Sequence, residues 1–376
     1  MIAPRRLVWP LIAIALLVAA AATAPTTRSH VSKSDRAALP PLPPLSPLSP
    51  PPELPYATVL VDSARSEIVL ELPPTDVPAA GMVRLPVFQA VIPVSAAICH
   101  FHMEVVDPAG RRLPQAMLHH FNLSDPDRRE LFLPIGLHIL AASKETPAAT
   151  VPRLLFGLPL ERGQRLIASG MLGNETATLQ RGVRVRLVLG YVPASRPWPL
   201  FRAYPWVMDV QFPLGRRPGG SKAFDLPPGR TERHWESSPA VPGTILGMGG
   251  HLHDHGVSLE VKDVTTGEIL WHVEPVKDAR DQVTSIPLVL FYRWYRLGIH
   301  ITPDHTYRLT AVYENPTGRV LRDGGMGAVA GLFVPDRGAT WPAVDPADSV
   351  YRADLHDTLW QHDEGMMGEM KMHGDH

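Results

Sequence analysis

Cysteine is almost missing from this chain of 376 residues: Cys99 is the single example. No disulfide can close within the chain, so its cores alone must hold it together, and metal sites built on grouped thiolates are excluded. His, Met, Asp and Glu remain as donors. Net charge is also scarce. Lys plus Arg is 36 against 37 for Asp plus Glu, which leaves no global field to draw in nucleic acid or an anionic surface. Absent too are a basic phosphate loop, a Ser-His-Asp order and a carboxylate pair that would mark other enzyme chemistries. Proline, by contrast, is abundant at 41 residues, which suits turns and edge strands and argues against long helices.

One long apolar run is present, at the start. MIAPRR is followed by LVWPLIAIALLVAAAATA, the layout of an export signal. Residues 1–24 therefore read as a signal peptide or an N-terminal anchor. Ala22 to Ala24 offer small residues for cleavage, but Pro25 disfavours a cut after Ala24, so cleavage two residues earlier or retention as an anchor are the alternatives. The expected location is periplasmic or extracellular, with a membrane tether if the run is retained. Residues 25–55, including ALPPLPPLSPLSPPPELP, read as a proline-rich linker in extended polyproline II form.

The remainder reads as all-β. Short runs such as SEIVLEL, FHMEVVD, VRVRLVLGYV, VSLEVKDV and TYRLTAVYE recur between turns. In VRVRLVL, Val183, Val185, Leu187 and Leu189 share one side and Arg184 and Arg186 the other. RRELFLPIGLHILAAS (128–143) is the exception, with apolar spacing suited to one or two helical turns. A weak internal repeat relates 165–193 to 308–335, each with a strand, an Asn-x-Thr turn and a second strand. EVVDPAG (104–110) similarly parallels EVKDVTTG (260–267). The expected architecture is two tandem jelly-roll β-sandwich domains, 56–200 and 201–340, followed by a C-terminal extension, 341–376.

Histidine carries the chemistry. GGHLHDHG (249–256) sets His251, His253 and His255 at alternate positions. On an extended strand alternate side chains share a face and lie about 6.6 Å apart. Two imidazoles so spaced can converge on one ion at about 2.0 Å from each nitrogen, whereas a third is out of reach. A second strand must supply the next donor, and Asp254 should face the other way. CHFH gives a further alternate pair, His100 and His102, and LHHFNL gives His119 and His120 side by side. Adjacent strand residues face opposite sides, so joint use of His119 and His120 requires a twist, a bulge or the use of different ring nitrogens. Ligand pairs and hydrogen-bonded strand-end histidines both stay open on spacing alone. Met326, in GGMG just before an apolar strand, is either core packing or a thioether donor, and thioether with imidazole suits copper. The chain ends in QHDEGMMGEMKMHGDH, a His/Met-rich tail whose composition suits weak copper capture.

With these residues assembled, the chain resembles the type II ascorbate-dependent copper monooxygenases, the superfamily of peptidylglycine α-hydroxylating monooxygenase and dopamine β-monooxygenase. More closely, it looks like a bacterial exported relative. The resemblance runs from about Tyr56 to Pro335. It implies two jelly rolls, each holding one copper, with ascorbate or another reductant as co-substrate and hydroxylation of a C–H bond by O2. HLHDHG resembles the family's His-Thr-His-His-Leu-Gly segment, so His251 and His253, with Met326, match the ligands of the oxygen-activating copper. LHHFNL resembles the family's His-His-Met segment, so His119 and His120 match two ligands of the electron-donating copper. The third ligand there is a histidine in the family, and Gly173 in SGMLGNET stands in its place. Met171, His100 and His102 are the residues here that could substitute. The substrate is unassigned, small molecule or peptide; nucleic acid is not expected. The alternatives to the enzyme are a non-catalytic copper-binding or storage protein and a metal-free β-sandwich interaction module.

Overall fold

The computed structural model describes residues 53–143, 148–193, 195–212, 223–279, 282–292 and 296–360. The N-terminal apolar run, nearly all of the linker and the His/Met-rich tail fall outside them. No helix among the described residues is long and apolar enough to cross a membrane.

Sixteen strands form the framework. The first eight are β1 (Glu67–Glu71), β2 (Gly81–Arg84), β3 (Ala96–Val106), β4 (Leu118–Arg129), β5 (Gly136–Ala142), β6 (Phe156–Leu160), β7 (Arg165–Asn174) and β8 (Gln180–Pro193). The next eight are β9 (Tyr204–Asp209), β10 (Gly229–Ser237), β11 (Gly243–Leu252), β12 (Gly256–Asp263), β13 (Ile269–Val273), β14 (Ile299–Ile301), β15 (Tyr307–Asn315) and β16 (Gly327–Pro335). Within the first set the sheets run β1-β8-β3-β6 and β2-β7-β4-β5, with short strands adding to their edges. Within the second they run β9-β16-β11-β14 and β10-β15-β12-β13, the same order with every number raised by eight. Each is the eight-stranded double Greek key of a jelly roll, so the expected fold class is the observed one.

Strand β8 shows why these sequences pleat. Val183, Val185, Leu187 and Leu189 all point into the first core, while Arg184 and Arg186 face outward and pair with Glu71 of β1. The second core is filled by Trp206, Met248, Leu259, Tyr313 and Phe333.

The Asn-x-Thr turns of the internal repeat are structural twins. Asn174 is buried, donates to the carbonyls of Pro78 (3.0 Å) and Thr178 (2.8 Å), and accepts from the Thr176 amide and hydroxyl. Asn315 donates to Leu226 (3.0 Å) and Arg319 (2.8 Å) and accepts from Thr317 in the same way. Each closes the loop from β7 to β8, or from β15 to β16. The second parallel does not hold. Residues 104–110 end the third strand of one sandwich, whereas 260–267 end the fourth strand of the other.

Residues 128–143 contain no helix. They finish β4, cross in an irregular loop and begin β5. Leu131, Phe132, Leu133 and Ile135 of this loop enter the second core, where the Phe132 ring lies 5.2 Å from Trp206 and 6.1 Å from Tyr307. Their apolar spacing thus serves a plug and not a helical face. Beside the plug, the fully buried Glu130 carboxylate accepts from the amides of Leu131 (3.1 Å), His138 (2.9 Å) and Val207 (3.2 Å). The carboxylate so joins β5 to β9 across the two sandwiches.

The segment after β16 returns to the first sandwich. Trp341 stacks on Tyr204 at 4.5 Å between centroids and donates to the Arg129 carbonyl. A helix, α1 (Ser349–Trp360), follows, with Leu359 buried against Val87 and Ile167 and the Tyr351 hydroxyl donating to Pro126.

Candidate metal centres

In the second sandwich the candidate residues meet where β11 runs out against β16. His251 pairs with Ala328 and Leu252 with Gly327, so the next step in register sets His253 opposite Met326. Leu252 and Gly327 face the core, and a Cβ on Gly327 would come within 2.6 Å of that of Ala311. Glycine is required there. By alternation His251, Ala328 and Met326 share the outward face. The His251 and His253 rings are perpendicular, with centroids 5.3 Å apart.

One atom fixes the two segments together. The Tyr313 hydroxyl, on buried β15, accepts from the His253 amide and from the Met326 amide, each at 3.0 Å, and donates to the Met326 carbonyl. Burial raises the Tyr313 pKa, against the lowering effect of these backbone hydrogen bonds, so the hydroxyl keeps the proton that it donates. Nothing in the motifs singled out Tyr313. The cross-strand row also brings in Asp209, which pairs with Ala328 on the side away from His251 and is buried.

His255 does not continue the alternation. The strand ends at Leu252, the chain turns, and His255 has φ 66°, with its carbonyl accepting from the Glu314 amide. Asp254 accepts from the Val283 amide at 2.8 Å, pinning the same turn.

In the first sandwich a bulge answers the question posed by adjacent histidines. His120 pairs with Met171, but Leu172 pairs with Leu118, leaving His119 as the extra residue. Leu118 and Phe121 are buried, while His119 is exposed and His120 half-buried between them. Two consecutive side chains therefore leave the same face of β4, with ring centroids 5.5 Å apart. Across the ladder stands Met171, and Arg84 of β2 follows it in the row. Gly173 pairs with Met82, and a side chain at 173 would have open space, with only the Met82 Cγ at 3.7 Å. The place where the resemblance implies a third histidine is thus open, and Met171 is the residue that the register sets opposite His120. His100 and His102 lie on β3, in the opposite sheet of the sandwich, and do not join this group.

His120 is held as neutral imidazole. Burial, then the neighbouring charges of His119 and Arg84, lower its pKa from 6.5 to about 4. A depressed histidine pKa contributes stability that is present above pH 6.5 and lost as pH falls toward 4. In the metal-free protein, NMR titration is expected to give His120 a midpoint near 4, and urea unfolding should show weakening across that same window. A midpoint at the ordinary histidine value would contradict the burial argument.

Among the described residues, no group of three or more His, Cys, Asp or Glu side chains is arranged to hold a metal ion. At each candidate centre the strand register sets a methionine, Met171 or Met326, across from one histidine of a pair. This donor set fits copper, since the soft sulfur favours Cu(I) while nitrogen accommodates Cu(II).

No protein-family model matches the chain, and no curated protein does. Among solved structures it is similar to the major capsid protein P2 of bacteriophage PM2, at 11% identity and a TM-score of 0.34, covering 73% of this chain and 100% of that one. It is similar also to a protein of Sulfolobus turreted icosahedral virus, at 12% identity and TM-score 0.31, covering 81% and 96%. A third likeness is to PNGF-II, at 10% identity and TM-score 0.29, covering 77% and 64%. Likenesses this slight carry no argument about activity.

Proposed function

We propose that this chain is an exported copper-binding protein related to the type II copper monooxygenases, hydroxylating a substrate with O2 and an external reductant. One observation supports the reading above all: His251 and His253 share an edge with Met326, and the Tyr313 hydroxyl ties their backbones together. Copper bound there supplies one-electron redox chemistry toward O2. The chain's own part is to supply His251 and His253 as imidazole donors, to present the Met326 sulfur from the facing strand, and to keep that edge open. His251 is exposed, which leaves substrate and reductant a route to the site.

A second reading, copper storage or delivery without turnover, draws support from the first sandwich. There Gly173 leaves open the position where the resemblance implies a third imidazole, and the thioether that the register sets beside the pair is Met171, opposite His120. A thioether beside the pair favours Cu(I) and resists reoxidation.

Copper stoichiometry of the purified chain separates the readings. The expected result is two coppers per chain, one after His253→Ala, together with ascorbate-dependent O2 consumption. Copper binding without O2 consumption leaves the storage reading. A chain that takes up no copper overturns both, and leaves a β-sandwich interaction module.

A further inference from the structure

A third pair of histidines lies on the other sheet of the first sandwich from His119 and His120. His100 and His102 sit two residues apart on the outward face of β3, separated by Phe101, which packs inward on the first core. Their rings are joined: His100 Nε2 lies 3.1 Å from His102 Nδ1. Each outer nitrogen also has a partner. His100 Nδ1 is 2.7 Å from the Thr150 hydroxyl, and His102 Nε2 is 3.4 Å from the Glu104 carboxylate. Glu104 is held in turn by Arg112. Opposite His100 on β8 stands Gly190, where a Cβ would come within 3.2 Å of the His100 Cβ; its absence gives the ring room.

The proton positions follow from the acceptors. An ionised carboxylate can only accept, so His102 carries its proton on Nε2 and turns the bare Nδ1 lone pair toward His100. His100 then fills the gap with its own proton on Nε2, and the Thr150 hydroxyl donates to Nδ1. Thr150 can equally accept. If His100 carries its proton on Nδ1 instead and donates that N–H to the Thr150 oxygen as a hydrogen bond, both inner nitrogens become lone pairs facing one point. Two nitrogens held about 2.0–2.1 Å from one tetrahedral ion are separated by roughly 3.3 Å. The pair is within a small ring rotation of that spacing.

We propose that His100 and His102 form a separate binding site for a divalent transition-metal ion of the Zn2+ class. The ion takes the place of the proton shared between the rings, and His100 keeps that proton on its other nitrogen, so no net proton is released from the neutral pair. Glu104 and Thr150 act as the outer partners that fix each ring, the arrangement by which carboxylates orient metal-binding imidazoles. Glu104 cannot reach the same ion, because it holds the far nitrogen of His102. The remaining coordination positions are left to water or an external ligand. His100 and Thr150 also stand on the wall of an apolar cavity of about 180 Å³, lined besides by Leu140, Leu158 and Leu332. An external ligand there would find an apolar wall beside the metal.

The site needs neither copper nor the monooxygenase reading, and its test uses Zn2+ alone. Isothermal titration of the full metal-free chain is expected to show one equivalent of Zn2+ fewer for His102→Gln than for wild type. His253→Ala should leave that equivalent in place, and Glu104→Gln should weaken it about tenfold, within the range for lost outer-shell partners. Circular dichroism and thermal melting check that each variant folds. If folded His102→Gln takes up as much Zn2+ as wild type with the same affinity, the pair is a hydrogen-bonded strand ornament and the proposal is overturned.

Discussion

Tyr313→Phe is expected to lower stability by about 2–4 kcal/mol and to loosen the second-sandwich centre, although no ligand is touched. The substitution keeps the ring in the core, where Tyr313 is fully buried. It deletes one oxygen that serves three backbone groups: the His253 amide, the Met326 amide and the Met326 carbonyl. Two donors would be left without an acceptor in a partly buried place, and each such loss costs about 1–3 kcal/mol. Urea unfolding reads the stability. Copper affinity reads the second effect, since the turn after β11 and the start of β16 lose their common anchor. The control is Tyr307→Phe, whose hydroxyl accepts from a single amide, that of Thr302 at 3.1 Å. A Tyr313→Phe protein as stable as wild type, with unchanged copper affinity, would show that the hydroxyl does not organise the centre.

Phe132→Ala should be costlier still, about 3–5 kcal/mol. The ring belongs to the first sandwich by sequence but is buried in the second core against Trp206 and Tyr307. Removing it leaves a cavity between rigid aromatic walls, and such walls collapse poorly. Because Phe132 and Glu130 both join the halves, the loss should appear as one unfolding transition at lower urea, monitored by tryptophan fluorescence. Two separated transitions, with the first sandwich unaffected, would mean that the plug does not couple them.

Much of this was legible in the residues, and the exceptions share a cause. Strand alternation identified β8, and the Asn-x-Thr repeat pointed to paired sandwiches, because both depend on short-range pattern. The pair His251 and His253 was readable for the same reason. The start of β16 beside it was not: register across the sheet, and not spacing along the chain, sets Met326 opposite His253. For His119 and His120, neighbours on one strand, the sequence asked for a twist, a bulge or different ring nitrogens without choosing among them. A bulge depends on the partner strand, so no local pattern announces it. The loop at 130–135 misled because apolar spacing reports burial without saying in which core. Tyr313 was invisible because its role is played by one oxygen reaching backbone groups on two other segments. Met171 was named among several substitutes, and only the pairing of β4 with β7 distinguishes it from His100 and His102.

Asn174 carries a practical consequence. Asn-Glu-Thr at 174–176 is an acceptor sequence for N-linked glycans, whereas Asn-Pro-Thr at 315–317 is not, because proline blocks the middle position. In the folded protein the Asn174 side chain is 4% exposed and its amide hydrogens are given to main-chain carbonyls. A sugar attached there has no room and removes a donor that the loop needs. A eukaryotic secretory host, which glycosylates chains as they emerge and before they fold, would therefore attack the very turn that closes the first sandwich. A bacterial host, or a production route that avoids the secretory pathway, leaves it intact.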